Sequence, residues 1–337
     1  MERLWIAVAT CLLASCSVKG NGWWWQYEEG IRHYSQEALH ETAIGANATT
    51  VLGIPIEFRH VSWSIGGHGS FQHVVTLANI IKLFNPELLG AAAGRTVHGV
   101  QAHISETGFN LAVTGHNTFN LPSQTRHLID TLRAYEGLNF DEDWKLLTIL
   151  MGMNDICDYC KDKALFSADN FIHYITVAIE MLMNEVPRMI VNIVQILPMQ
   201  TLREVQKPTP GCLLQRSFCS CLIEPAAASP ELQELVEVNL DFQRRLELLL
   251  HSRRFFKDDF AVVLQPFMKH ADPPRLPFQP EGEKQMVSSF SEPISLVCPP
   301  REHPYIFTRP IAARSGPPGA LSPAALVPLL LLLVASA

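Results

Sequence analysis

The sequence predicts an α/β fold, a three-layer α/β/α arrangement built around a parallel sheet. Residues 144–151 (WKLLTILM), 189–197 (MIVNIVQIL) and 260–265 (FAVVLQ) are nearly continuous apolar runs of strand length, the pattern of strands buried on both faces. Segments 122–134, 169–185 and 232–250 carry apolar residues at helical spacing between and before those runs. Strand and helix therefore alternate, which is the signature of a parallel sheet covered by helices.

Along the chain the elements follow one another in order. Trp23-Trp24-Trp25 is an aromatic cluster that calls for burial or an interface. Gly66-Gly67-His68-Gly69 marks a loop. Val74, Leu77, Ile80, Ile81 and Phe84 then share a helical face over residues 74–84, and Pro86 ends that helix. Residues 109–113 (FNLAV) read as a short strand leading into Thr114-Gly115-His116-Asn117. Pro122 suits the first turn of the next helix, on which Leu128, Ile129 and Leu132 share a face. Gly115, Asn154 and Pro198 each fall just past the end of an expected strand, and parallel sheets collect their ligands at the carboxyl ends of strands.

Of 337 residues, 47% are hydrophobic and 18% charged, enough to bury a sizeable core. The formal net charge is −7 and there is no long basic run. Nucleic acid, which needs clustered Lys and Arg, is therefore not an expected partner. Residues 1–17 read as a secretory signal peptide, with Glu2 and Arg3, a short apolar stretch and then small residues. Residues 311–337 read as a turn-rich spacer and an apolar tail with no basic residue after it, which fits a glycosylphosphatidylinositol anchor signal better than a single membrane span. The bulk of the chain would then lie on the extracellular side of the membrane. Asn47-Ala48-Thr49 is a glycosylation sequon. Beyond the leader the cysteines are Cys157, Cys160, Cys212, Cys219, Cys221 and Cys298. An even count in an oxidising compartment points to disulfides; half of a zinc site or a redox pair is the alternative for Cys157-x-x-Cys160. No cofactor or metal is otherwise called for.

Several blocks resemble the membrane-associated phospholipase B family, a branch of the GDSL or SGNH ester hydrolases. They are residues 61–67 (VSWSIGG), 77–80 (LANI), 84–86 (FNP), 111–117 (LAVTGHN), 143–146 (DWKL), 152–160 (GMNDICDYC) and 260–267 (FAVVLQPF), with weaker likeness at 298–300 (CPP) and 304–305 (PY). The likeness spans roughly residues 50–310, and a single hydrolase-like domain over residues 22–310 follows from it. The resemblance implies hydrolysis of acyl esters of phospholipids at a membrane surface. A serine would be the nucleophile, a His three residues after an Asp the base, and backbone and side-chain N–H groups the holders of the oxyanion. A serine hydroxyl needs such a base, and each oxyanion donor contributes about 3–4 kcal/mol to the barrier reduction. By position the resemblance makes Gly115 the backbone donor and Asn154 the side-chain donor, with Asp155 fixing the loop.

Two parts of the pattern are missing. No Gly-Asp-Ser occurs in the chain; counting back from Gly45-Ala46 puts Leu39 or His40 at the nucleophile position. Residues 26–41 are mostly polar, so the first strand that should feed the nucleophile turn is expected to be absent. No Asp has a His three residues later; His270-Ala271-Asp272 runs in the wrong order. The domain thus reads as incomplete at residues 30–45 and near 270–285, as though two coding segments had been omitted. The expected function is that of a phospholipase B-like ester hydrolase with impaired catalysis. The alternative is a non-catalytic lipid-binding or interaction protein of the cell surface. Ser35, Ser62 and Ser64 are the hydroxyls left to act as a displaced nucleophile.

Overall fold

A computed structural model describes residues 34–38, 42–44, 53, 55–203 and 216–269. The leader, the carboxyl-terminal spacer and tail, Trp23–Trp25, the sequon Asn47, Cys212 and Cys298 lie outside the described residues, as do Leu39 and His40.

The three apolar runs form strands where the sequence places them. β1 (Tyr34–Ala38), β4 (Trp144–Ile149), β5 (Met189–Val194) and β6 (Phe260–Gln265) make a four-stranded sheet in the order β1-β4-β5-β6. All three pairings are parallel: Leu147 lies opposite Val191, and Val191 opposite Val262. Leu147, Val191 and Val262 are fully or almost fully buried at the centre of the core. A small antiparallel pair stands apart, β2 (Ile56–Glu57) with β3 (Thr96–Val97).

The expectation that the first strand is absent is corrected here. Tyr34–Ala38 pairs with Trp144–Thr148 along its whole length. Its sequence, YSQEA, lacks the apolar run expected of a buried strand, yet a parallel ladder needs only backbone N–H and C=O groups. An edge position also tolerates polar side chains.

The helices are α1 (Leu77–Ile81), α2 (Ile104–Thr107), α3 (Leu121–Ala134), α4 (Met153–Asp158), α5 (Ala168–Glu185), α6 (Ser220–Ile223) and α7 (Pro230–His251). Both α3 and α7 start with Pro in the first turn, where its missing N–H costs nothing. Ser167 and Ser229 cap α5 and α7 by accepting the N–H groups of Asn170 and Leu232. α5 packs against both α3 and α7. Leu128, Ile129 and Leu132 join Ile175, Ile179 and Leu182 in one core, and Phe171 stacks on Phe242 with ring centroids 4.1 Å apart.

Two expected elements change. The helix foreseen over residues 74–84 shortens to α1, because Thr76 caps it by accepting Asn79 N–H and Asn79 Nδ2 donates to Val74 O. The strand foreseen over residues 109–113 does not form a ladder in the sheet. Its backbone serves other partners: Phe109 N–H bonds Gly90 O, and Asn110 O accepts from the buried Arg59 guanidinium at 2.9 Å.

Lys145, the second residue of β4, has a fully buried side chain. Its Nζ donates to the carbonyls of Asp143 and Pro187, both at 2.9 Å, and to Phe140 O. A buried cation held by three carbonyl dipoles fixes where the strand enters the sheet.

Candidate functional site

β4 ends at Ile149 and the chain turns sharply through Leu150, Met151 and Gly152 into α4. Gly152 has φ +118°, and a Cβ there would lie 2.7 Å from a ring carbon of Phe171. Both backbone conformation and space therefore require glycine at this corner. The turn places Asn154 in the first turn of α4, at the carboxyl end of the sheet.

A second turn faces it. Gly115 has φ +83°, a conformation that a side chain disfavours by about 1–2 kcal/mol. No atom lies within 4 Å of the Cβ that an alanine would add, so conformation alone selects glycine there. Asn154 Nδ2 donates to His116 O at 2.8 Å, joining the two turns. An amide nitrogen has two hydrogens, so this bond leaves one for another acceptor. The two residues singled out in the sequence thus line a single cleft, with Thr42, Ile44, Val113, Thr114, His116, Gln124 and Met153 around them. Its volume is about 350 Å³.

Below the cleft a carboxylate locks the two turns. Asp155 accepts from Thr118 N–H at 3.0 and 3.2 Å and from Thr118 Oγ1. Burial pushes its carboxyl up to about 6, and the Thr118 bonds offset part of that rise. Asn117 Nδ2 adds a bond to Asp158 at 3.0 Å. Asp155 therefore fixes the loop, as its position implied.

Two disulfides hold the far end of α4. Cys157 bonds Cys219 and Cys160 bonds Cys221, across 62 and 61 residues of sequence. Pairing Cys157 and Cys160 with two separate partners replaces the zinc or redox reading of that motif. Among the described residues no cluster of three or more His, Cys, Asp and Glu could hold a metal.

The hydroxyls need separate treatment. Ser62 and Ser64 are fully buried and do not line the cleft. They belong to a tight turn in which Gly66 N–H bonds Ser62 O and Ala78 N–H bonds Ser64 O. The displaced-nucleophile reading fails for both on access. Among the described residues the hydroxyls that line the cleft are Thr42 and Thr114. Thr114 donates to Glu57 Oε1 at 2.7 Å. Its single hydrogen is thereby committed, so Thr42 must be the donor in the 2.6 Å Thr42–Thr114 bond. The chain Thr42 to Thr114 to Glu57 ends on a carboxylate that also accepts from Arg59 and Thr96. Burial raises the pKa of Glu57, but the bonds from Thr96, Thr114 and Arg59 outweigh that and hold it below its ordinary value. Such a carboxylate is a weak base.

The sequence reading missed this chain, because Thr42, Glu57 and Thr114 are far apart and no spacing links them. It also passed over His116, although the residue is adjacent to Gly115. Its ring lines the cleft, its Nδ1 lies 2.7 Å from Gln124 Nε2, and burial pushes its pKa down.

The parallel sheet covered by helices, with Gly115 and Asn154 meeting beyond the carboxyl ends of its strands, is an α/β fold of the kind that GDSL-type hydrolases have. The comparisons agree. A family model described as GDSL-like Lipase/Acylhydrolase matches residues 61–298. The protein named "Phospholipase B1, membrane-associated" from Mus musculus is 33% identical over 301 residues, covering 78% of this chain and 20% of its own length. The Homo sapiens protein of the same name is 33% identical with the same coverage, and that of Rattus norvegicus 32% identical over 300 residues. The chain spans about a fifth of the length of these curated relatives. It belongs to the GDSL lipase/acylhydrolase family, in its phospholipase B-like branch.

Proposed function

We propose that this chain binds acyl-ester lipids, phospholipids foremost, in the Gly115–Asn154 cleft at a membrane surface, and that its capacity to hydrolyse them is impaired. In this reading Gly115 N–H and Asn154 Nδ2 hold the acyl carbonyl oxygen. The observation that carries it is the composition of the cleft. Gly115 and Asn154, the two residues read as oxyanion donors, line it together, while the hydroxyls lining it among the described residues are two threonines tied to each other and to Glu57. A hydroxyl without a matched base is a weak nucleophile, and donors alone sustain only about 10³–10⁴-fold acceleration over water. The missing Gly-Asp-Ser and Asp-x-x-His motifs point the same way.

The leader-like and tail-like segments of the sequence and the relatives' names support a site of action at the membrane. We place the chain on the extracellular face of the plasma membrane after removal of residues 1–17. A glycosylphosphatidylinositol anchor near the spacer at residues 311–337 would hold it there, with a glycan on Asn47. Among the described residues no helix is long and apolar enough to cross a membrane.

The test is turnover of p-nitrophenyl butyrate and of lysophosphatidylcholine by the secreted chain. The expected result is lipid binding with turnover far below the roughly 1–10³ s⁻¹ usual for enzymes. Turnover within that range would refute the impairment, and failure to bind any acyl lipid would refute the site.

A further inference from the structure

The surface around the cleft carries an inference that rests on the reading of the cleft as an acyl-lipid site and names the face that presents it. Four large apolar side chains stand exposed there. Ile44 and Val113 line the cleft and are 38% and 45% exposed, while Phe119 and Phe218 are 39% and 67% exposed. Single exposed apolar residues are ordinary on a protein surface. What sets the two phenylalanines apart is how their backbones are held.

Both are pinned to α4, the helix that carries Asn154. Phe119 lies in the single helical turn Thr118–Asn120. Thr118, the residue before it, gives its N–H and Oγ1 to Asp155, and Asn117 Nδ2 donates to Asp158 at 3.0 Å. Phe218 directly precedes Cys219, whose Cα lies 4.3 Å from that of its disulfide partner Cys157. At about 100° of rotation per residue, Asp155 and Cys157 fall on opposite flanks of Asn154 around the helix. The two pins thus hold one ring-bearing segment on either side of the helix that brings Asn154 to the cleft.

A ring held one residue from a fixed point keeps its apolar area in water until something covers it. Phe119 turns towards Phe166, with ring centroids 6.1 Å apart, and still leaves much of its surface exposed. The cover that fits both rings is a phospholipid bilayer surface. They extend the apolar lining that Ile44 and Val113 begin, so an acyl chain leaving a bilayer there meets apolar surface and its methylenes need not be exposed to water. Arg216, also exposed, stands two residues before Phe218. A guanidinium beside aromatic rings suits the headgroup boundary, which is apolar on one side and wet on the other.

We propose that Phe119 and Phe218 are membrane-docking residues, whose rings enter the headgroup region of a phospholipid bilayer and set the cleft against it.

Sedimentation of the secreted full chain with phosphatidylcholine vesicles tests this, at a lipid concentration that binds half of the wild type. Phe119→Ser combined with Phe218→Ser is expected to lower partition about tenfold, the effect of about 55 Å² of apolar surface removed from water. Phe218→Ser alone, whose ring lies outside the core, is expected to lower it about threefold. Leu240→Ser combined with Leu248→Ser removes two exposed leucines from α7 and is expected to leave partition unchanged. Every variant keeps the same carboxyl-terminal segment, so the ratios read these side chains alone. Lysophosphatidylcholine, titrated below the concentration at which it forms micelles, should bind the wild type and the double phenylalanine variant alike. Equal partition of the wild type and that variant would overturn the proposal, as would an equal loss in the leucine variant. Unchanged partition of Phe218→Ser would do the same, which decides the matter if the double variant does not fold. Dissociation of a wild-type dimer by Phe218→Ser would assign the face to a second copy of the chain and overturn it too. Wild-type binding of the monomeric lipid but not of vesicles would overturn it and leave the acyl-binding cleft standing. Binding of neither would overturn both.

Discussion

Asp155→Asn should remove a pH-dependent part of the fold's stability, and its size can be worked from the site. Asp155 is 1% exposed, and burial raises its carboxyl to about 6 against an ordinary value of 3.8. The folded chain therefore keeps this proton in a range where the unfolded chain has lost it. Stability from this group is fully present below 3.8 and is lost as pH rises to about 6. One proton contributes about 1.4 kcal/mol per pH unit across that window, so the loss amounts to roughly 3 kcal/mol. Asparagine does not titrate there. Its amide has one acceptor oxygen where the carboxylate has two, so the bond that Thr118 N–H makes to Oδ2 is lost and Asp155→Asn also carries a penalty at every pH. Urea unfolding of both proteins at half-unit steps from pH 4 to 7.5 separates the two effects. The wild-type advantage should shrink by roughly 3 kcal/mol between pH 4 and 6.5 and then level off. The same pH dependence in both proteins would refute the reasoning, because Asp155 would then titrate alike folded and unfolded.

The disulfides and the threonine chain yield two more expectations. Serine replacement of all four cysteines should cost about 4 kcal/mol, the loop entropy of roughly 60 residues, whereas Cys160→Ser with Cys221→Ser should cost far less. Cys157–Cys219 still closes nearly the same loop, so the urea midpoints of the two variants should differ widely. Thr114→Val removes the hydroxyl donor to Glu57 Oε1 and should destabilise by about 1–3 kcal/mol, the cost of leaving a buried charged acceptor short of a partner. Thermal unfolding checks it, and Thr114→Ser should recover most of the loss.

How much was legible in the sequence follows from how local each signal is. β4, β5 and β6 are continuous apolar runs, and α3, α5 and α7 carry apolar stripes with capping or proline starts. Such signals need no knowledge of the partner. β1 escaped because YSQEA has no apolar pattern and pairs through its backbone at the sheet's edge. Residues 109–113 misled for the opposite reason. The apolar run is present, but its backbone is drawn to Arg59 and Gly90 and not to a neighbouring strand.

The site divides along the same line. Gly115 and Asn154 could be placed because a turn glycine and a post-strand asparagine stand in short motifs. The pairing of Cys157 with Cys219 and Cys160 with Cys221 could not be deduced from spacing. Nor could the 2.7 Å contact of His116 Nδ1 with Gln124 Nε2, since Gln124 lies on α3, beyond the turn that carries His116. The burial of Ser62 and Ser64, which removes them as nucleophiles, arises from a turn closed by Gly66 and Ala78 N–H groups.

The central claim is that the cleft keeps its acyl-binding donors without an activated hydroxyl. Incubation of the secreted chain with a fluorophosphonate probe, followed by intact-mass and peptide analysis, addresses it most directly. The account predicts no stoichiometric adduct on any serine or threonine, including Thr42 and Thr114. A single hydroxyl labelled to completion within the family domain would contradict it.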